Sequence, residues 1–274
     1  MTDSAQLSNG VAMSLAGRVA LITGGSRGIG AATVRLFRQA GARVVFSYQS
    51  AAAQARALQA ECGGTDFCLG IQQGLASAAD GDALVAAAVA AFGRVDCLIA
   101  NHGVWPPHDQ PIHTMSDAQW RSTLGINLDS VFGLVRAGVA QMQQQPQQQP
   151  HANAAARGHI VLVSSTAGQR GEAFHTDYAA SKGALISMTK GLSSELARSS
   201  IYVNCVAPGW VRTDMSADAL ADENASNRVF ATIPLGRVGT PDEIAAPILF
   251  LCTPWAGFIS GEIFNVNGGA VLVG

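Results

Sequence analysis

The chain has 274 residues, enough for one sizeable domain with a complete core, and nothing in that length demands a second. A net charge of −2 supplies no electrostatic footprint for nucleic acid or an anionic membrane. With 48% hydrophobic and only 13% charged residues, part of the surface is expected to be covered by other subunits, which favours an oligomer over a monomer.

Residues 1–16 form an N-terminal tail without a basic stretch ahead of an apolar core, so no secretion signal is expected. Five cysteines without paired spacing argue against a disulfide framework, and a reduced, cytoplasmic location is expected. From residue 17 to 274 one domain is predicted. Its strands read as 18–23 (RVALIT), 43–48 (RVVFSY), 66–71 (DFCLGI), 95–100 (VDCLIA), 159–165 (HIVLVSS), 202–208 (YVNCVAP) and 261–267 (GEIFNVN). Most hold continuous apolar stretches, as strands covered on both faces do. Helix-length segments lie between them, at 28–40, 80–92, 117–142, 178–198 and 241–252. The Ala-rich run ALVAAAVAAFG is too short to span a bilayer and reads as a buried helix. The alternation predicts an α/β fold, a doubly wound seven-stranded parallel sheet flanked by helices. Ligands then bind beyond the carboxyl ends of the strands. A Gln- and Pro-rich insertion at 141–157 should form a surface loop at the opposite end.

After the first strand, LITGGSRGIGAATVRLF places Gly24, Gly28 and Gly30 ahead of a helix. Glycines here let the backbone turn sharply and approach a pyrophosphate seated on the helix N-terminus. NAD-preferring sites usually place a carboxylate after the second strand; here the residues are Ser47, Tyr48, Gln49 and Ser50. No acidic residue lies between Asp3 and Glu61, whereas six arginines do. Arg27, inside the glycine loop, suits a 2′-phosphate, so NADP(H) is the predicted cofactor.

The chain contains two lysines, Lys182 and Lys190, and three tyrosines, yet Lys182 follows Tyr178 by four residues. On a helix the two share a face. A cation about 5 Å from a phenol, at an effective dielectric of about 20, contributes roughly 3 kcal/mol, or about two pKa units. Lys182 is therefore expected to make Tyr178 acidic enough to exchange a proton with a carbonyl or alcohol.

Together, TGGSRGIG and IVLVSSTAGQRGEAFHTDYAASK resemble the short-chain dehydrogenase/reductase family, from about residue 16 onward. The resemblance implies a single-domain Rossmann fold with Tyr178 as general acid/base and Lys182 lowering its pKa while holding the nicotinamide ribose. It further implies that Ser165, rather than Ser164, bonds the substrate oxygen and that Asn127 supports a water-linked proton relay to the lysine. Cofactor contacts would come from Gly24, Ser26, Arg27, Gly28, Ile29 and Gly30, from Ser47 and Leu75, and from Asn101 and Gly103. Pro208, Gly209, Val211 and Thr213 would shape the nicotinamide pocket.

Two positions depart from the family pattern. His102 stands in the usual Asn-Asn-Ala-Gly segment and puts a titratable ring beside the cofactor wall, and Gly74 replaces an adenine-contacting Asp. His102, His108 and His113 have no common ligand spacing, so no metal is expected.

Among family members the chain looks most like 3-oxoacyl-[acyl-carrier-protein] reductases, and a small carbonyl or secondary alcohol is the implied substrate. Sugar, polyol or hydroxysteroid-type dehydrogenases are the alternative, and a non-catalytic NADP(H)-binding protein a remote one. Substrate choice is expected in loops 103–114, 166–177 and 214–235, the last as a lid. Arg121, Arg136, Arg170 and Arg228 are candidate contacts for a phosphopantetheine or an acidic carrier. The resemblance also implies a homotetramer or dimer, with helices 117–142 and 178–198 packing against their symmetry mates.

Overall fold

The computed structural model describes residues 12–146 and 156–273. In chain order the elements are β1 (Val19–Ile22), α1 (Gly28–Gln39), β2 (Arg43–Tyr48), α2 (Ala52–Glu61), β3 (Cys68–Gln72), α3 (Ala78–Phe92) and β4 (Cys97–Ala100). Then come α4 (Asp117–Leu124), a π-helical turn (Gly125–Asp129), α5 (Ser130–Gln144), β5 (Gly158–Val163), α6 (Thr166–Arg170) and α7 (Thr176–Leu196). The chain closes with β6 (Ile201–Pro208), α8 (Glu223–Ala231), α9 (Pro241–Leu251) and β7 (Ile263–Val266). All seven strands pair in parallel, in the order β3-β2-β1-β4-β5-β6-β7. The order reverses between β1 and β4, and the crevice at that switch point is where such sheets bind ligands.

The unbroken apolar strands follow from burial on both faces. Ala20, Ile22, Val44, Phe46, Cys97 and Ile99 face a core completed by α1, α2 and α9. Their neighbours Leu21, Val45, Leu98 and Ala100 face a second core built with α3, α5 and α7. Between α3 and α5 the backbones touch: a Cβ on Gly133 would sit 2.0 Å from the Ala78 carbonyl oxygen, so only glycine permits this approach. Leu15 is buried and its N–H bonds the Ala40 carbonyl, so the core reaches back into the predicted tail.

Two elements were not predicted in this form. Helix α2 was not among the predicted segments: its residues AAQARALQAE are good helix formers but carry little amphipathic pattern. The expected single helix 117–142 is interrupted by the π-turn, where the Ser130 N–H bonds the Gly125 carbonyl five residues back. Most of the Gln/Pro-rich insertion lies outside the described residues. Its near foot is fixed: Gln145 is buried, donates to the Val95 carbonyl at 2.8 Å and accepts from the Val95 N–H at 3.1 Å. Arg157 bonds the Gln145 carbonyl at 3.0 Å, so both feet sit at the amino end of the strands.

At that same end Asp96 is fully buried, accepting from Arg94 at 2.7 Å, from Arg18 at 3.4 Å and from the Val19 N–H at 2.9 Å. Two guanidiniums and a strand N–H would lose their acceptor in Asp96→Ala. That variant should lose about 3 kcal/mol of stability, read as a lowered urea midpoint at unchanged m-value.

Candidate active site

A cleft of about 330 Å³ runs along the carboxyl ends of β1, β2, β4, β5 and β6. The glycine loop forms its floor. Gly24 and Gly28 have φ of +64° and +53°, and a Cβ on Gly30 would lie 2.0 Å from the Gly24 carbonyl oxygen. The loop is fixed from below, where Gly25 N–H bonds the Ser47 carbonyl at 2.8 Å and Gly24 N–H the Ser47 hydroxyl at 3.3 Å. Helix α1 begins at Gly28, so its free N–H groups point into the cleft where a diphosphate would lie. Ser26, Arg27 and Ile29 line the same floor.

At the far end of β2 the lining is Ser47, Tyr48, Gln49, Ser50 and Ala51, all uncharged, with Gln73 and Leu75 from the β3 side. Gly74 instead packs toward the Gln49 side chain. The free helix N–H groups and the glycine floor fit the diphosphate of a nicotinamide dinucleotide. Arg27 reaches across the cleft to Asp214 at 3.2 Å, both side chains remaining more than half exposed.

Asn101 ties β4 to the loop, donating to the Thr23 carbonyl at 3.0 Å and the Gly24 carbonyl at 3.3 Å. Gly103 lies against the catalytic candidates: a Cβ there would be 3.2 Å from both Asn127 Oδ1 and Lys182 Nζ. Beyond β6, Pro208, Gly209, Val211 and Thr213 line the opposite wall.

Tyr178 and Lys182 lie on the buried face of α7, with Nζ 5.9 Å from the phenol ring centre. Lys182 donates to the Val163 carbonyl at the end of β5, 2.9 Å away. The two serines that follow β5 divide their work because successive side chains point to opposite faces. Ser164 is buried and donates to the Lys182 carbonyl at 2.7 Å. Ser165 opens on the cleft beside Tyr178 and caps α6 through the Ala167 N–H. Asn127 occupies the π-turn, fully buried; it accepts from Val104 N–H at 2.8 Å and donates to the Val104 carbonyl at 2.9 Å and Ser181 at 3.1 Å. The wide turn changes which carbonyls are spoken for, a common device at functional sites.

The electrostatics differ from expectation. Burial pushes the Tyr178 phenol up to about 12; the Ser165 hydrogen bond works against this and the Glu172 carboxylate adds to it. Burial also lowers Lys182 to about 8. The net shift is thus opposite to the one expected: burial of the phenol outweighs what the neighbouring ammonium, itself costly to keep charged, can offset. His102 is likewise no titrating group near neutrality. Its ring is enclosed between Thr23 and Ser130, 2.7 Å from each hydroxyl, and burial together with the Lys182 charge lowers it to about 3.

Sequence reasoning overlooked Asp177, which sits fully buried in the first turn of α7. It accepts from Thr123 at 2.8 Å and Gln119 at 3.1 Å, fastening α4 to the start of the Tyr178 helix. It also overlooked Trp210, Glu172 and Met215 in the lining. Of the four candidate arginines, Arg170 lines the cleft, whereas Arg121 pairs with Asp117 and Arg136 with Asp82. Among the described residues no group of three His, Cys, Asp or Glu side chains could hold a metal ion.

A family model described as enoyl-(acyl carrier protein) reductase matches residues 24–271. The 3-oxoacyl-[acyl-carrier-protein] reductase of Vibrio cholerae is 36% identical over 95% of this chain and 100% of its own length. A solved short-chain dehydrogenase/reductase of Brucella melitensis, titled glucose/ribitol dehydrogenase, superposes with a TM-score of 0.83 at 35% identity, covering 93% of this chain and 97% of that one. The chain belongs to the short-chain dehydrogenase/reductase family. An acetoacetyl-CoA reductase of Rhizobium meliloti is 34% identical over 92% of this chain and 98% of its own. This short-chain dehydrogenase/reductase is therefore an oxidoreductase built on a Rossmann fold, and its relatives include thioester reductases.

Proposed function

We propose that the chain is an NADPH-dependent ketone reductase whose substrate is a 3-oxoacyl thioester. The observation that carries the reading is Tyr178, Ser165 and Lys182 lining one end of a glycine-floored cleft, with Asn127 buried behind them on Val104 and Ser181. The names of its thioester-reducing relatives support the substrate class.

The bound cofactor supplies the hydride. Ser165 and Tyr178 hold the ketone oxygen, and Tyr178, protonated at neutral pH, delivers the proton to the developing alkoxide. The hydrogen bond from Ser165 favours the phenolate left behind. Lys182 holds the ribose and steadies that phenolate, while Asn127 keeps the lysine side of Gly103 polar for the returning proton. Residues 214–235, two short 3-10 turns and α8, contribute Asp214, Met215 and Ser216 to the lining, and we infer that they cover the bound substrate.

For the cofactor, the support is the uncharged end of β2 together with Arg27. Wild-type kcat/KM should be higher for NADPH than for NADH. Arg27→Ala should lower it about tenfold for NADPH and little for NADH, one charge-assisted contact being lost. A preference for NADH would overturn the assignment.

The same reading includes a homotetramer or dimer in the cytoplasm. Trp120 of α4, Phe132 of α5 and the fully exposed Phe258 leave apolar surface for a partner copy. Among the described residues no helix is long and apolar enough to cross a membrane.

A further inference from the structure

Two indoles meet at the substrate end of the cleft. Trp105, from the loop after β4, and Trp210, from the loop after β6, both line it and stand edge to face with centroids 6.3 Å apart at 78°. Neither loop is free to swing. Trp105 stacks on the buried His175 ring at 4.6 Å and 18°, and its Nε1 donates to Glu172 at 3.1 Å. His175 Nε2 lies 2.9 Å from the Pro106 carbonyl, and Gln110 N–H bonds the Phe174 carbonyl at 3.0 Å. Phe174 is held at φ +65°, a strained conformation for a side-chain-bearing residue, which persists where the surroundings over-determine it. Trp210 is fixed through its backbone: its carbonyl accepts from Gly239 N–H at 2.9 Å, beside the Val211–Gly239 bridge.

We propose that Trp105 and Trp210 form a fixed end-wall that limits the acyl substituent of the ketone to a short chain, of acetoacetyl size. This rests on the ketone-reductase reading above. The wall is apolar where a methyl or ethyl group would pack. It is closed where a longer chain would have to pass, because Trp105 cannot turn aside without breaking its Glu172 bond and its His175 stack, and Trp210 packs edge to face against it.

The test is a chain-length series, run on 3-oxoacyl-CoA thioesters from four to ten carbons and in parallel on 2-alkanones. Wild-type kcat/KM should fall at least tenfold between four and eight carbons. Trp210→Ala and Trp105→Ala should each raise the eight-carbon to four-carbon ratio at least tenfold. NADPH affinity, measured by fluorescence titration, should be unchanged, which shows that the variants are folded. A flat wild-type profile overturns the wall, as does a cut-off that persists in folded variants of both tryptophans. A cut-off seen with 2-alkanones when no thioester reacts upholds the wall and removes the thioester reading. No turnover of any ketone removes the reductase reading itself.

Discussion

Tyr178→Phe should lower kcat for ketone reduction by about 10³-fold while leaving NADPH affinity within a factor of about two. The phenol is buried and its pKa is pushed up to about 12, so at neutral pH it carries its proton. A group in that state is a donor before it is a base, and the reductive direction needs a donor. Removing only the hydroxyl keeps the ring packed on α7 and leaves Ser165 as the remaining contact to the substrate oxygen. Stopped-flow or steady-state NADPH oxidation gives kcat, and fluorescence titration gives the affinity. Turnover within tenfold of wild type would show that proton transfer runs through another group.

The second large effect is at Lys182. Lys182→Ala should reduce kcat/KM for NADPH by about 10³-fold, since one side chain both binds the ribose and supports the phenolate. Lys182→Arg should not restore it: Nζ donates to the Val163 carbonyl at 2.9 Å and lies close beneath Gly103, leaving no room for a planar fork. The wild-type pH profile carries a sign. Because burial lowers Lys182 to about 8, the ammonium is present below that pH and lost as pH rises through it. Reduction, measured as kcat/KM for NADPH in the free enzyme, should therefore decline above about pH 8. In Lys182→Ala that limb should vanish. A wild-type profile flat from pH 7 to 10 would show that the charge on Lys182 does not matter.

Much of this site could be read in the chain before any coordinates. The i, i+4 spacing of Tyr178 and Lys182 is a helix-face statement, and helix geometry alone puts them together. Continuous apolar strands betray a sheet covered twice, and the two cores bear that out residue by residue. What could not be read depends on three-dimensional enclosure. The direction of the Tyr178 shift turned on how dry the phenol is, and spacing contains no measure of that. The π-turn around Asn127 could not be read either, because propensity alone does not say where a helix widens by one residue per turn. Asp177 looks like any acidic residue in a first helical turn until Thr123 and Gln119 close around it. Glu172 and Trp105 are 67 residues apart, and only the fold brings the carboxylate to the indole. His102 read as a titratable ring beside the cofactor wall but is a structural crosspiece between Thr23 and Ser130, kept neutral by burial and by the Lys182 charge.

The pair that follows β5 carries one more implication. Ser164 grips the lysine helix from behind while Ser165 opens on the cleft, and only the pleat of the strand separates the two directions. Val163 stands opposite Val206, so hydrogen bonds to β6 decide which hydroxyl looks forward. A single-residue shift of that strand would exchange them, presenting the wrong serine to the ketone and leaving α7 without its anchor. Catalytic alignment in this enzyme is thus inherited from strand pairing, and lesions in the middle of the sheet would be felt as lost chemistry even where the molecule still folds.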